Sequence, residues 1–139
     1  MSAAGNEAGF TLLEMLVVLG LLSLISMIAI PDFERVIGLL ELRETAATLQ
    51  ANLRVIRADA LRSDQEVDFA LDGDGKGYQW SEVEKRRVPD RVDLRMAKGQ
   101  AIVFYGDGTT SGGAVKVLSG GREILIIVDE STGAVSTGQ

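Results

Sequence analysis

Glu14 stands alone in an otherwise apolar stretch, residues 12–30, which is interrupted elsewhere only by Gly20, Ser23 and Ser26. A lone carboxylate deep in lipid costs roughly 2.5–3.5 kcal/mol on insertion scales, so a cation should compensate it. If the chain is cut between Gly9 and Phe10, Phe10 gains a free amine, and Glu14 lies four residues on, one helical turn away. Either that amine or the amine of a neighbouring subunit can then pair with the carboxylate, which couples charge neutralisation to the packing of one helix against another. A plain anchor accounts for the hydrophobicity of the stretch but not for Glu14.

The other residues that could do chemistry are weaker candidates. Asp72-Gly73-Asp74-Gly75-Lys76-Gly77 alternates acid with glycine, yet a twelve-residue calcium loop begun at Asp72 would meet Lys76 at its fifth position and Val83 at its twelfth. A glycine-rich hairpin turn is the better account. Asp129-Glu130 and the Glu82/Glu84 pair read as solvated surface acids, because nothing marks a cleft around them. Lys85, Arg86 and Arg87 read as a solvated turn. The chain has no histidine and no cysteine, which removes the commonest general base, the commonest metal ligand, every Ser-His-Asp triad and every thiolate site. No catalytic residue, metal ligand or cofactor site is expected, and no enzymatic activity. With 14 basic against 20 acidic residues and a net charge of −6, a nucleic-acid partner is disfavoured.

The elements that must position Glu14 follow from length and periodicity. A chain of 139 residues suits one folded domain and an N-terminal segment with a separate job. Residues 12–30 as a helix span roughly 28 Å, close to the ~30 Å hydrocarbon core of a bilayer. The run is too long for the core of a removable secretory signal, and residues 1–9 hold no Lys or Arg. Beyond Pro31, Leu42, Ala46, Leu49, Leu53, Ile56 and Ala60 recur at steps of three and four, one stripe of an amphipathic helix that should face a sheet. Glu44, Arg54 and Arg57 lie off it. After Asp64, Val67, Phe69 and Leu71 alternate, then Tyr78 and Trp80 alternate beyond the glycine-rich turn, predicting a hairpin. Further strands are expected at 92–96, 101–105, 114–118, 123–128 and 134–136, with 124–128 buried on both faces. The fold class is α+β: a long N-terminal helix, membrane-spanning in its first half and amphipathic in its second, packed on an antiparallel β-sandwich or a pair of small sheets. The expected segments are 1–9, 10–30, 31–63 and 64–139.

Gly9-Phe10-Thr11-Leu12-Leu13-Glu14, followed by the apolar helix and Pro31, resembles the signal of type IV pilins and type II secretion pseudopilins. That resemblance implies that residues 1–9 are a leader removed by a prepilin peptidase, that Phe10 is then N-methylated, and that Glu14 serves filament assembly. Pro31 then marks a membrane-exit kink, a bend of a curved helix, or both. The leader departs from the family's usual basic one, since its only charged side chain is Glu7. The segment Phe104-Tyr105-Gly106-Asp107-Gly108-Thr109-Thr110-Ser111-Gly112-Gly113, with the apolar strand at 124–128 leading to Thr132-Gly133, narrows the resemblance to H-type minor pseudopilins. What it implies is a structural subunit near the tip of a type II secretion pseudopilus. It would be anchored by one pass in the inner membrane, with its C-terminal domain in the periplasm. Its implied partners are the I-, J- and K-type minor pseudopilins, the G-type major pseudopilin and the prepilin peptidase. Similar C-terminal sequences occur in minor pilins of type IV pili, so fibre initiation, adhesion or DNA uptake is the alternative. A membrane-anchored binding domain or enzyme is the third.

Overall fold

The structure, a computed structural model, describes residues 10–81, 84–98 and 101–138. The expected leader with Gly9 lies outside the described residues, and so do Glu82, Val83 and the side chains of 28–32, Pro31 among them. Helix α1 covers Leu12–Ser63, with Pro31 inside its bounds. The chain divides into two compact units, Met1–Arg35 and Val36–Gln139.

In the first unit, Thr11 caps α1: its Oγ1 accepts a hydrogen bond from the Glu14 N–H at 3.2 Å, and its carbonyl accepts the Met15 N–H at 3.2 Å. The side chains of 12–27 are exposed on every face of the helix. Ser23 and Ser26 donate to the carbonyls of Leu19 and Leu22, each at 2.8 Å, so their hydroxyls are satisfied by the helix itself. Among the described residues no helix is long and apolar enough to cross a membrane. The span expected at 10–30 runs into 28–32, whose side chains are not among them.

In the second unit, the expected stripe becomes the helical side of the core. Leu42, Ala46, Leu49, Leu53, Ile56 and Ala60 are between 0% and 4% exposed. Burying each leucine or isoleucine is worth roughly 1.5–3 kcal/mol, which fixes the face that α1 turns inward. The helix ends at Ser63 because Asp64 takes a left-handed φ of 53°, and the Gln65 N–H then returns to the Ala60 carbonyl at 3.4 Å.

Two four-stranded antiparallel sheets complete the fold. One has the order β3-β2-β1-β5, from β1 (Val67–Leu71), β2 (Gly77–Gln79), β3 (Lys85–Arg87) and β5 (Ala101–Phe104). The other has the order β4-β6-β7-β8, from β4 (Asp93–Lys98), β6 (Gly113–Ser119), β7 (Arg122–Val128) and β8 (Val135–Gly138). The predicted hairpin is present, with Leu71 opposite Tyr78. β6 and β7 are joined by Gly120-Gly121, both at positive φ, the backbone that a tight hairpin of matching twist requires. Phe69, Ile102 and Phe104 from the first sheet and Val115, Val117 and Ile126 from the second meet the helical stripe in one core. Thus the α+β reading, with a pair of small sheets, describes the architecture.

Two readings need correction. Lys85, Arg86 and Arg87 form an edge strand rather than a turn, although all three are solvated as expected. β7 is buried on one face only: Ile126 and Val128 point inward, while Leu125 is half-buried and Ile127 is 38% exposed. A continuous apolar run looks the same in sequence whether or not a layer covers its second face.

Candidate functional site

At the helix start, Thr11 is the N-cap and Glu14 the third helical residue, the Ser/Thr-x-x-Glu spacing of a capping box. Glu14 therefore has a local role beside any pairing role, because a carboxylate in the first turn sits at the positive end of the helix dipole. The spacing was present in the sequence. Phe10, one residue before the cap, is 73% exposed and Leu12 80% exposed. Both are at the surface. Gly20 has no atom within 4 Å of where a Cβ would lie, so nothing inside the chain requires a glycine there. It leaves room for close approach by another helix.

At the far end of α1, the structure brings together the two parts of the C-terminal motif. The Thr110 N–H donates to the Glu130 carbonyl at 3.0 Å and its hydroxyl to the Asp129 carbonyl at 3.0 Å, so Thr110 is buried as a clasp between the loops. Gly133, at φ +64°, lies against both Arg57 and the Gly108 carbonyl: a Cβ there would sit 2.7 Å from Arg57 Nε and 2.7 Å from that oxygen. Arg57 is consequently half-buried, with its Nε lacking a hydrogen-bond partner, rather than solvated like Glu44 and Arg54. Gly106 packs against the end of the helix, where a Cβ would meet the Asp64 Cα at 2.8 Å. The glycines of the motif thus serve close packing.

The acidic candidates are spoken for by turns. Asp129 Oδ1 accepts from the N–H and hydroxyl of both Ser131 and Thr132, at 2.8 to 3.1 Å. These bonds, the Ser131 side-chain bond first, hold its carboxyl at about 2. Asp107 is likewise held below the usual carboxylate range by Thr109. From the glycine-rich turn, Lys76 reaches to the segment that leads into β4 rather than to the acids of the turn. Its ammonium donates to the carbonyls of Asp90 (2.6 Å) and Val92 (2.9 Å) and pairs with Asp93 Oδ1 at 2.8 Å. The basic cluster on β3 is partly neutralised in the same way, Lys85 by Asp72 at 3.1 Å and Arg87 by Asp74 at 3.6 Å. Among the described residues no group of acidic side chains is placed to hold a metal ion. Pattern reading also missed Asn52, whose amide donates to the Tyr78 hydroxyl at 2.7 Å and ties β2 to the helix. Burial pushes that hydroxyl up.

Residues 5–30 match the family model described as the prokaryotic N-terminal methylation motif. Solved structures with the same fold include the minor pseudopilin EpsH from the type 2 secretion system of Vibrio cholerae. It has a TM-score of 0.59 at 12% identity, with 70% of this chain and 96% of that one covered. The type IV minor pilin FimU of Pseudomonas aeruginosa is similar in two crystal forms. Their TM-scores are 0.58 and 0.57 at 14% and 15% identity, covering 70% and 78% of this chain and 92% and 93% of those. The chain carries the prokaryotic N-terminal methylation motif and shares the fold of these pilin-like structures. No curated protein matches it in sequence. At these identities the solved structures speak for the fold, and that fold is common to a secretion pseudopilin and a pilus minor pilin.

Proposed function

We propose that the chain is a minor pseudopilin of the H type, a structural subunit near the tip of a type II secretion pseudopilus that serves export of folded proteins across the outer membrane. The observation that carries this reading is the methylation motif at 5–30, with Glu14 one turn from Phe10 on a helix exposed all round. A helix apolar on every face needs lipid or other helices around it. A filament subunit has both in succession. In this reading residues 10–30 cross the inner membrane once and 64–139 fold in the periplasm. A prepilin peptidase cuts between Gly9 and Phe10 and methylates Phe10, and Glu14 pairs with a free amine during assembly with I-, J-, K- and G-type subunits. The likeness to EpsH and the −6 net charge support the secretion reading.

The likeness to FimU supports a second reading, a minor pilin of a type IV pilus that initiates fibres or contacts a surface or DNA. DNA contact is the weaker part of it, because Lys85 and Arg87 already pair with acids. The N-terminal mass of membrane-extracted protein, made with and without its prepilin peptidase, tests the class. A peptidase-dependent product that begins with methylated Phe10 is expected. An uncut chain, or one beginning at Ile30, would overturn the subunit reading in both forms. Complementation of a secretion-deficient and a piliation-deficient host then separates the two filaments.

A further inference from the structure

The folded unit is electrically uneven along α1. At the Asp64 end of the helix, the loops that carry Gly106 and Gly133 gather Asp64, Asp107, Asp129 and Glu130. At the other end, Gly38 lies against the β6–β7 hairpin, where a Cβ would sit 3.4 Å from Ser119 Oγ, and Glu41 meets Arg91 at 3.8 Å. A hollow of about 280 Å³ around that hairpin is lined by Arg91, Arg95, Leu118 and Arg122. Its two acids are already engaged, Asp93 by Lys76 at 2.8 Å and Glu123 by Lys116 at 3.0 Å. Arg95 and Arg122 are exposed and make no ion pair among the described residues.

These two arginines do not share a face of the sheet. Arg122 stands opposite Ser119, on the side turned to α1, whereas Arg95 stands opposite Lys116, on the other side. They flank the end of the sheet, and the hairpin tip beside them is bare Gly120-Gly121, with nothing within 4 Å of either Cβ position. A partner seated on one sheet face reaches one arginine only. A broad surface met end-on reaches both. On the subunit reading such a surface is close by: if residues 10–30 cross the bilayer, Gly38 follows Ile30 by eight residues. That is about 12 Å along a helix and at most about 28 Å along an extended chain. The arginine end of the unit, and not the acidic end, is the one tethered beside the headgroups.

We propose that the arginine end around the β6–β7 hairpin docks on the phosphates of acidic phospholipid headgroups, of the phosphatidylglycerol type, in the bilayer that holds the chain. The proposal rests on the membrane part of the subunit reading. Arg95 and Arg122 donate to phosphate oxygens, for which the planar guanidinium fork is suited. The acids at the Asp64 end are repelled by the same leaflet, so both ends turn the unit in one sense despite a net charge of −6. The folded unit then rests on the leaflet while the subunit is stored there, and leaves it when the helix is drawn out.

Because the chain has no cysteine, one introduced thiol carries one fluorophore. The full chain with Leu118→Cys in the hollow, or with Glu130→Cys at the acidic end, is labelled and reconstituted in vesicles that contain a headgroup-attached quencher. The vesicles are phosphatidylcholine alone or phosphatidylcholine with phosphatidylglycerol. Quenching at position 118 should rise with phosphatidylglycerol, and quenching at 130 should not. Arg95→Gln and Arg122→Gln should each lower the ratio of docked to free unit by roughly fivefold, and together by roughly thirtyfold. Inorganic phosphate, at matched ionic strength, should leave the quenching unchanged. Equal quenching at 118 in both lipids, from a chain that resists alkaline extraction, overturns the docking proposal and leaves the membrane reading intact. A chain that alkaline washing strips from the vesicles overturns both. Displacement by inorganic phosphate overturns lipid docking in favour of a free-anion site, and quenching indifferent to the double variant overturns the role of the arginines.

Discussion

Glu14 has two roles that one pair of substitutions separates. Its backbone N–H is bonded to Thr11 Oγ1 at 3.2 Å, so Glu14→Gln keeps the cap and removes only the charge. Thr11→Ala does the reverse: it removes the side-chain acceptor at the helix start and leaves the carboxylate. Loss of the cap costs about 1 kcal/mol, within a range of roughly 0.5–2. The loss is local to the first turn of a 52-residue helix whose second half is anchored in a core. Loss of the charge makes membrane insertion easier by roughly 2.5–3.5 kcal/mol, because an unpaired carboxylate no longer has to enter lipid. If Glu14 acts by pairing with an amine, Glu14→Gln should be cut, inserted and methylated normally and yet be depleted at least tenfold from sheared filaments. Thr11→Ala should remain within about fivefold of wild type, as befits a cap worth about 1 kcal/mol. The assay is the ratio of filament-bound to membrane-bound chain, with N-terminal mass as the control for processing. The opposite result, with Glu14→Gln assembling normally and Thr11→Ala failing, would make Glu14 a helix-start residue and nothing more.

Three further outcomes follow from the folded domain. Leu49→Ala, at a fully buried position of the helical stripe, should cost about 2–5 kcal/mol in urea unfolding of the detergent-held chain, against under about 0.5 for the exposed Ala47→Ser. Gly133→Ala forces a side chain into left-handed backbone, 2.7 Å from both Arg57 Nε and the Gly108 carbonyl. It should lower the thermal midpoint by more than the compensating pair Gly133→Ala with Arg57→Ala does. The folded Asp129 carboxyl is held at about 2 by Ser131 and Thr132, below its usual value of about 3.9. Its contribution is therefore complete above pH 4 and lost as pH falls toward 2. Asp129→Asn should flatten the acid limb of a stability-against-pH curve there and leave the neutral plateau shifted by a constant amount.

The helical stripe was legible because six apolar side chains at steps of three and four admit one face only, and all six are buried. The hairpin at 67–80 was legible because alternation and a glycine-rich turn agree with each other. β3 was not. Lys85, Arg86 and Arg87 have no apolar member to set a period, and the strand exists because backbone pairing to β2 and ion pairs to Asp72 and Asp74 hold it on the sheet edge. The half-burial of Arg57 was not legible for a related reason. Its burial comes from two glycine loops, 108 and 133, that are remote in sequence and meet only after folding. At the candidate site, Glu14 stood out by charge in an apolar run and Phe10 by its place one turn before it, while the capping geometry of Thr11 was hidden behind that signal although its spacing was visible.

The exposed apolar helix decides what kind of neighbour this chain requires. The large apolar side chains between Leu12 and Met27 number a dozen, and all are exposed. At roughly 1.5–3 kcal/mol each, their removal from water is worth tens of kcal/mol, more than the ~5–15 kcal/mol that holds a typical domain folded. On the subunit reading water is not their resting environment, and two remain, lipid and a bundle of like helices. Those two differ little in apolar free energy, because lipid tails are as apolar as leucine. What separates them is polar. Glu14 is costly in lipid and can be paired in a bundle by a free amine. On the subunit reading, that single carboxylate is the term that biases the helix from storage in the membrane toward assembly, since the hydrophobic side chains around it are nearly indifferent between the two.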